Sequence, residues 1–219
     1  MRSRFEFINK NANGYVPGTV TVVRSLDLIP DALQDFIVSE TKQVAVENQV
    51  PILVVSLSMD TKEFVKCLVF GESRDGIEHI LKARLFIADN KEGATFYDLL
   101  KNFERAIENI DDELGLIIID GIDSIIPQVT NTVILNNDPL VSLVNLAKKT
   151  RLPFLVSDYD NNLETGYPRP DAVVEIELLT DLQDNVQAAL YKGNKKIVTT
   201  DLYESWRIFE KLLKHEKNE

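Results

Sequence analysis

Residues 20–36 read VTVVRSLDLIPDALQDF, and this stretch decides how the rest of the chain is interpreted. A β-branched, apolar run predicts a buried strand, and the amphipathic residues that follow position 30 predict a helix. Pro30 suits the first helical position, because its missing N–H group would have no partner there in any case. Asp31 places a carboxylate in the first turn, where the partial positive charge of a helix N-terminus favours it. The stretch therefore predicts a strand, a short turn and a helix.

The composition is that of an ordinary globular protein, with 219 residues of which 44% are hydrophobic and 27% charged. The single cysteine, Cys67, cannot form an internal disulfide, so we interpret it as a buried thiol in a reducing compartment. No apolar stretch approaches the roughly 20 residues that span a bilayer. The first residues, MRSRFEFINK, lack the apolar region of a signal peptide. We therefore expect a cytoplasmic protein that has no membrane partner.

The charge balance argues against nucleic acid as a partner. The formal net charge is −11, from 24 basic and 35 acidic residues. A protein that holds nucleic acid through its phosphates needs a basic surface. Two short basic segments, KKTR at 148–151 and KGNKK at 192–196, are interpreted as solvated surface residues.

Apolar runs bounded by turn-forming residues predict eight strands. They cover residues 19–23, 52–57, 84–89, 114–120, 153–158, 172–178, 186–192 and 195–200. Several runs are nearly continuous in Val, Ile and Leu, which is typical of parallel strands covered by helices on both faces. Gly-Asn at 193–194 predicts a hairpin between the last two strands.

Helix-sized amphipathic segments alternate with the first strands. They cover residues 31–48, 61–71, 95–110 and 138–150, and a further apolar stripe after residue 202 predicts a terminal helix. Strands that alternate with helices favour an α/β fold with right-handed crossover connections. Because the sequence contains no evident repeat or long linker, we expect a single domain that spans residues 1–219.

The order of these segments resembles the RecA-like ATPase core, in the branch that holds KaiC-like proteins and the motor domains of DnaB-type helicases. The resemblance covers about residues 14–210 and depends most on Pro17-Gly18 before the first strand, SLSM at 56–59 and IIID at 117–120. It implies a three-layer sandwich in which helices flank a mostly parallel central sheet, with a C-terminal β-hairpin and a terminal helix. It also implies side-by-side assembly into rings or filaments.

The phosphate-binding loop of that family, G-x-x-x-x-G-K-[ST], is degenerate in this chain. Ser25 takes the place of the first glycine, Pro30 that of the second, Asp31 that of the lysine and Ala32 that of the hydroxyl residue. Proline offers no N–H donor to a phosphate. A carboxylate roughly 4 Å from a phosphate charge costs about 4 kcal/mol at an effective dielectric near 20. We predict that Asp31 stands where a phosphate would lie, so that the protein itself fills the site.

Three further family positions bear on catalysis. The resemblance aligns Ser58 with the catalytic glutamate, Asp158 with a sensor glutamine and Asp120 with the Walker B aspartate. Ser58 lacks a basic group that could activate water. We therefore expect no catalytic residue, no metal and no cofactor. One alternative stays open, in which a cation or another ligand is held at the strand ends by Ser58, Asp120, Asp123 and Asp158.

These departures favour a catalytically inactive domain that serves as a scaffold or regulatory subunit. Its partners would be proteins, either further copies of itself or RecA-like paralogues. The segment 121–137 is unusually apolar for a loop, which suggests an interaction surface. The residues of this possible surface are Ile125, Ile126, Val133, Ile134 and Leu135.

Two alternatives belong to other functional classes. One is a nucleotide-binding protein or ATPase with a nonstandard phosphate site, which would take its phosphate contacts from Arg24, Lys192 or Lys195. The other is an accessory protein of DNA recombination or replication, which the net negative charge opposes.

Overall fold

The computed structural model describes residues 1–25, 30–89, 96–110, 113–124, 139–159, 172–180, 186–193 and 195–202. The strands are β1 (Val20–Ser25), β2 (Ile52–Ser56), β3 (Leu85–Asp89), β4 (Leu116–Asp120), β5 (Phe154–Asp158), β6 (Val173–Thr180), β7 (Val186–Lys192) and β8 (Lys195–Asp201). The α-helices are α1 (Glu6–Ala12), α2 (Pro30–Lys42), α3 (Thr61–Val69), α4 (Arg74–Lys82), α5 (Phe96–Asn109) and α6 (Pro139–Thr150). A π-helical turn, Gln43–Glu47, continues α2, and a 3₁₀ turn, Ile122–Ser124, follows β4.

The eight strands form one sheet in the order β3-β2-β4-β5-β1-β6-β7-β8. All pairs from β3 to β6 are parallel, whereas β7 runs antiparallel to β6 and β8 antiparallel to β7. Every residue of β1, β2, β4 and β5 is buried, which explains their continuous apolar runs. The predicted α/β class, the mostly parallel sheet and the final hairpin are thus confirmed.

Two apolar layers cover the two faces of the sheet. On one face α1, α2 and α3 pack on alternate strand residues such as Ile118. On the other face α5 and α6 pack on the intervening residues such as Ile117. Successive strand residues point to opposite faces, so each strand needs apolar side chains at almost every position. The result is the three-layer sandwich that the resemblance implied.

Two helices were not predicted, and both carry few buried residues. Helix α1 buries Phe7, Ile8 and Ala12, while α4 buries Ile80 alone. Helix α4 is separated from α3 by Gly71, whose φ of 69° is a conformation that glycine adopts without strain. The four predicted helices form within a few residues of their expected limits, and the terminal helix expected after residue 202 lies outside the described residues.

Within the described ranges, no helix combines the length and the apolar character needed to cross a membrane.

Candidate functional site

The carboxyl ends of β2, β4 and β5 meet around Asp120, the last residue of β4. Its side chain is fully buried. Oδ1 accepts hydrogen bonds from the Ser157 hydroxyl at 2.8 Å and the Tyr159 hydroxyl at 3.0 Å, and Oδ2 accepts one from the Ser58 hydroxyl. Ser56 is also nearby, but its hydroxyl proton is directed to the Met59 carbonyl at 2.8 Å. Three hydroxyl groups therefore bind the Asp120 carboxylate.

Gly121 allows these groups to come together. Its φ is 80°, and a Cβ at this position would lie 2.9 Å from the Cβ and the backbone nitrogen of Ser58. Its N–H group donates to the Ser157 hydroxyl oxygen at 2.8 Å. Only glycine permits both the left-handed backbone and the close approach to Ser58. The backbone after β4 is thereby held against the ends of β2 and β5.

The electrostatics of this network keep the Tyr159 hydroxyl protonated. Burial raises the pKa of Tyr159 well above its ordinary value, and the Asp120 carboxylate raises it further. The phenol therefore stays protonated and continues to donate to Asp120. Three donors occupy most of the roughly four acceptor positions of a carboxylate. Asp120 consequently has little capacity left for a metal-bound water.

A second charged group lies on the opposite face of the sheet. The Arg24 guanidinium is 3.4 Å from the Asp158 carboxylate through Nε and 2.6 Å from the Glu175 carboxylate through Nη1. All three side chains are at least nine-tenths buried. They belong to the adjacent strands β1, β5 and β6, so the ion pairs tie the two neighbours of β1 to it.

This arrangement corrects the hypothesis of a cation site at the strand ends. Ser157 and Asp158 are consecutive, so they point to opposite faces, and Asp158 does not join Ser58 and Asp120 as a possible cation site. Asp123 does approach the network, because its Oδ1 accepts from the Tyr159 N–H group at 3.0 Å. The described residues contain no group of three His, Cys, Asp or Glu side chains that could hold a metal ion.

Arg24 also cannot serve as the phosphate contact of the alternative hypothesis without giving up its two carboxylate partners. Lys192 and Lys195, the other candidates, are exposed on the β7–β8 hairpin. Three strands separate β7 from β4, so these lysines are remote from Asp120.

An open cleft of about 660 Å³ lies beside the Asp120 network, between α2, α3 and the strand ends. Its lining includes Ser58 and Tyr159 together with Gln34, Lys66 and Cys67 from the two helices. The Gln34 amide donates to the Cys67 sulfur at 3.0 Å. Cys67 itself is half-buried at the cleft surface, so the expectation of a buried thiol was wrong.

The positions that the resemblance aligns with the phosphate-binding loop are only partly described. Ser25 is the buried last residue of β1, α2 begins at Pro30, and Ala32 is buried in its first turn. The side chain of Asp31 lies outside the described residues, so its placement in a phosphate position stays a prediction. The possible interaction surface also lies outside them, at Ile125, Ile126, Val133, Ile134 and Leu135.

Sequence reasoning missed several residues of the site, namely Ser157, Tyr159 and Glu175. The signal for Ser157 was available, because it precedes Asp158 by one residue and must face the other side of the strand. Tyr159 follows the strand and gave no such signal. Glu175 is an acidic residue inside a buried strand, and such a residue requires a cationic or hydrogen-bonding partner.

Solved structures share this architecture. A DnaB-like replicative helicase, solved together with its interactions with primase, matches 91% of this chain with a TM-score of 0.67 and 16% sequence identity. An ATPase domain of a second protein matches 91% of this chain and 86% of its own, with a TM-score of 0.68 and 16% identity. This chain has a RecA-like ATPase fold.

The similarity covers only part of the helicase chain. This RecA-like chain spans 59% of the length of the matched helicase chain. The structural similarity establishes the fold, and at 16% sequence identity it does not establish the activity. No protein-family model matches the chain, and no curated protein matches it.

Proposed function

We propose that this RecA-like domain is catalytically inactive and acts as a scaffold or regulatory protein-interaction subunit. The observation that carries the proposal is the closed hydrogen-bond network around Asp120. Its carboxylate is fully buried and bound by the hydroxyl groups of Ser58, Ser157 and Tyr159. In a working ATPase of this fold, the resemblance implies that the same position holds Mg²⁺ through water.

The residues that would manage water and metal in an ATPase instead bind one another here. Ser58, at the position of the catalytic glutamate, has no group basic enough to take a proton from water. Its hydroxyl donates to Asp120, at the position of the Walker B aspartate. Recruiting Mg²⁺ would require this buried network to open, which costs the desolvation free energy of each group left unpaired.

The degenerate loop supports the same proposal from the phosphate side. Pro30 begins α2, so its backbone nitrogen offers no hydrogen to an anion at the start of this helix. Asp31 brings a negative charge to the position where a lysine would neutralise a phosphate.

Nucleotide binding to the full chain tests the proposal directly. Thermal denaturation and titration calorimetry with Mg·ATP and Mg·GTP should reveal no binding. A ligand present at about 100 times its dissociation constant would stabilise the protein by about 2.7 kcal/mol, which thermal denaturation detects easily. Saturable binding accompanied by phosphate release would overturn the proposal.

Restoring the loop tests the role of Asp31. The variant carries Ser25→Gly, Pro30→Gly, Asp31→Lys and Ala32→Thr, and its control carries the same changes except Asp31→Lys. Binding of ATP to the variant and not to its control would support Asp31 as the occupant of the phosphate position. A folded variant that still fails to bind would contradict that role and assign the loss to the wider pocket.

The cleft beside Asp120 favours a second candidate, a nucleotide-binding protein with a nonstandard site. Its volume of about 660 Å³ is within the range of small-molecule pockets, about 300–1,000 Å³. Lys66 lines the cleft and could contact a phosphate, whereas Lys62 is exposed on the same helix and does not line it. Nucleotide binding that is lost in Lys66→Ala and kept in Lys62→Ala would favour this candidate over the first.

A further inference from the structure

Residues 1–15 pack against α2 through apolar contacts. Phe5 stacks on Phe36 of α2, with ring centroids 4.7 Å apart and planes 6° from parallel. Phe7 and Ile8 of α1 are buried in the same apolar layer. The Tyr15 N–H group donates to the Met1 carbonyl at 2.8 Å, which closes the segment into a loop. We call residues 1–15 the strap.

A buried carboxyl group provides the polar attachment of the strap. Glu40 of α2 is fully buried, and its Oε1 accepts from the Ser3 hydroxyl at 2.7 Å and from the Arg4 N–H group at 3.1 Å. The Tyr15 hydroxyl faces the same carboxyl group. Neither that hydroxyl nor Oε2 of Glu40 has a hydrogen bond of ordinary geometry. The strap therefore binds Oε1 through two hydrogen bonds, while Oε2 faces the Tyr15 hydroxyl without a hydrogen bond of ordinary geometry.

Little charge compensates Glu40 in this position. Among the described residues, the strap contributes the Arg4 guanidinium, whose attraction is the weakest of the influences on the carboxyl group, and the uncharged Tyr15 phenol. Lys42, on the same helix, is paired with Glu72 of the α3–α4 turn at 2.7 Å. Burial therefore dominates and raises the pKa of Glu40 to about 7.

We propose that the attachment of the strap to α2 is controlled by the ionisation of Glu40. The protonated carboxyl group is buried at low cost and holds Ser3 and Arg4 to the helix. The ionised carboxylate is poorly compensated, and opening of the strap returns it to water. The strap is thus held firmly in weak acid and loosely at neutral and alkaline pH.

The direction and the pH window follow from linkage. A carboxyl group whose pKa is raised in the closed state gives its full stabilisation below the ordinary value of 4.5, and that stabilisation is lost as the pH rises to about 7. Above that range both states are ionised, and no further change is expected. The opening constant should rise about tenfold per pH unit within the window, roughly 300-fold in all.

We expect the strap to open about the turn that follows α1. Asn13, Gly14 and Gly18 have φ values of 62°, 68° and 78°. A Cβ on Gly14 would lie 2.0 Å from the Met1 carbonyl oxygen. Gly14→Ala should therefore detach the strap at every pH, which makes it the reference for the open state.

Amide hydrogen exchange of the full chain tests the proposal. Exchange would be followed from pH 5.5, above the sequence pI of about 4.8, to pH 8.5 and corrected for intrinsic rates. The opening constant of the strap amides should rise about 30-fold over this range, mostly below pH 7. In Glu40→Gln, which keeps the shape of the side chain and cannot ionise, it should stay constant.

Two controls separate strap opening from global unfolding. Low urea concentrations should leave strap exchange unchanged while accelerating exchange of the β4 amides, because local opening exposes little surface. Titration of the Glu40 carboxyl carbon by NMR in the wild-type chain gives a readout that does not depend on any variant. Strap exchange that is independent of pH, an equal rise in Glu40→Gln, or titration of Glu40 near its ordinary value would each overturn the proposal.

Discussion

Asp120 brings a negative charge to a fully buried position at the end of β4. Burial of an ionised carboxylate is tolerated only where hydrogen bonds replace the lost water. Ser58 and Ser157 supply two of these bonds from neighbouring strand ends, and Tyr159 supplies the third. The same bonds link β4 to β2 and β5, so this residue has a structural role whether or not a ligand binds.

Replacement of Asp120 by asparagine tests that role. Asn has one acceptor oxygen in place of two, so at least one hydroxyl donor loses its charged partner. Because hydrogen bonds to charged groups contribute about 1.5–3 kcal/mol, we expect Asp120→Asn to lower the free energy of unfolding by about 2–3 kcal/mol in urea denaturation. Ser58→Ala, the control that removes one donor, should cost about 1 kcal/mol. Unchanged stability in both variants would contradict the network.

Ionisation of the Tyr159 hydroxyl should lower the free energy of unfolding at alkaline pH. Its pKa is raised in the folded state above the ordinary value of 10.0, so its contribution is complete below that pH and is lost as the pH rises further. Tyr159→Phe should therefore cost about 1 kcal/mol at pH 7 and flatten the decline of stability above about pH 10. Urea denaturation at pH 7, 9 and 10.5 measures both effects. An equally steep decline in the variant would exclude Tyr159 as the cause.

At the scale of strands, β1 is held between β5 and β6 by a buried ion pair on each side. Arg24 supplies the cation for both Asp158 and Glu175. Backbone hydrogen bonds already align these parallel strands, with Arg24 opposite Asp158 in the register. The charged side chains add a requirement that β1 stay in register with both of its neighbours.

Removal of the shared cation should be costly. Arg24→Met leaves two buried carboxylates without their ion pair, and breaking one partner of a buried pair costs about 3–5 kcal/mol. The triple change of Arg24, Asp158 and Glu175 to apolar residues of similar size should be far less destabilising. Urea denaturation of both variants makes the comparison. A triple variant as unstable as Arg24→Met would show that packing, rather than charge, carries the effect.

At the scale of the whole molecule, the sheet ends in two unlike edges. β3 is a half-buried parallel edge, whereas β8 is mostly exposed and carries Lys195 and Lys196. Lysines on an edge strand discourage uncontrolled pairing with other sheets. Assembly with further copies or with RecA-like paralogues, as we propose, would therefore use side-chain surfaces rather than strand pairing at β8.

If assembly is independent of nucleotide, it should respond to protein concentration alone. We expect sedimentation velocity to give the same association with and without Mg·ATP, because the proposed inactive domain binds no nucleotide that could bridge subunits. The experiment uses the wild-type chain, because a substitution of Asp120 or Ser58 would disturb the hydrogen-bond network of the site. Association that requires Mg·ATP would contradict the inactive-scaffold proposal.

Much of the architecture could be predicted because it depends on local patterns. Continuous Val, Ile and Leu runs indicated buried parallel strands, and Pro30 marked the start of α2. Helices α1 and α4 escaped prediction because their apolar faces are short. Helix α4 buries Ile80 alone. A segment with so few apolar positions cannot be distinguished by its sequence pattern from a polar loop.

The amino-acid order by itself determined the α/β class and the strand-to-helix alternation, since both depend on side chains that are near neighbours along the chain, while the three-layer sandwich was implied by the resemblance. Only the tertiary structure decided what the buried polar groups do. Asp120 meets Ser157 and Arg24 meets Glu175 across adjacent strands, and Glu40 meets Ser3 although 37 residues separate them. Such pairs form where strand order and helix packing bring distant segments together, and no local period records those distances.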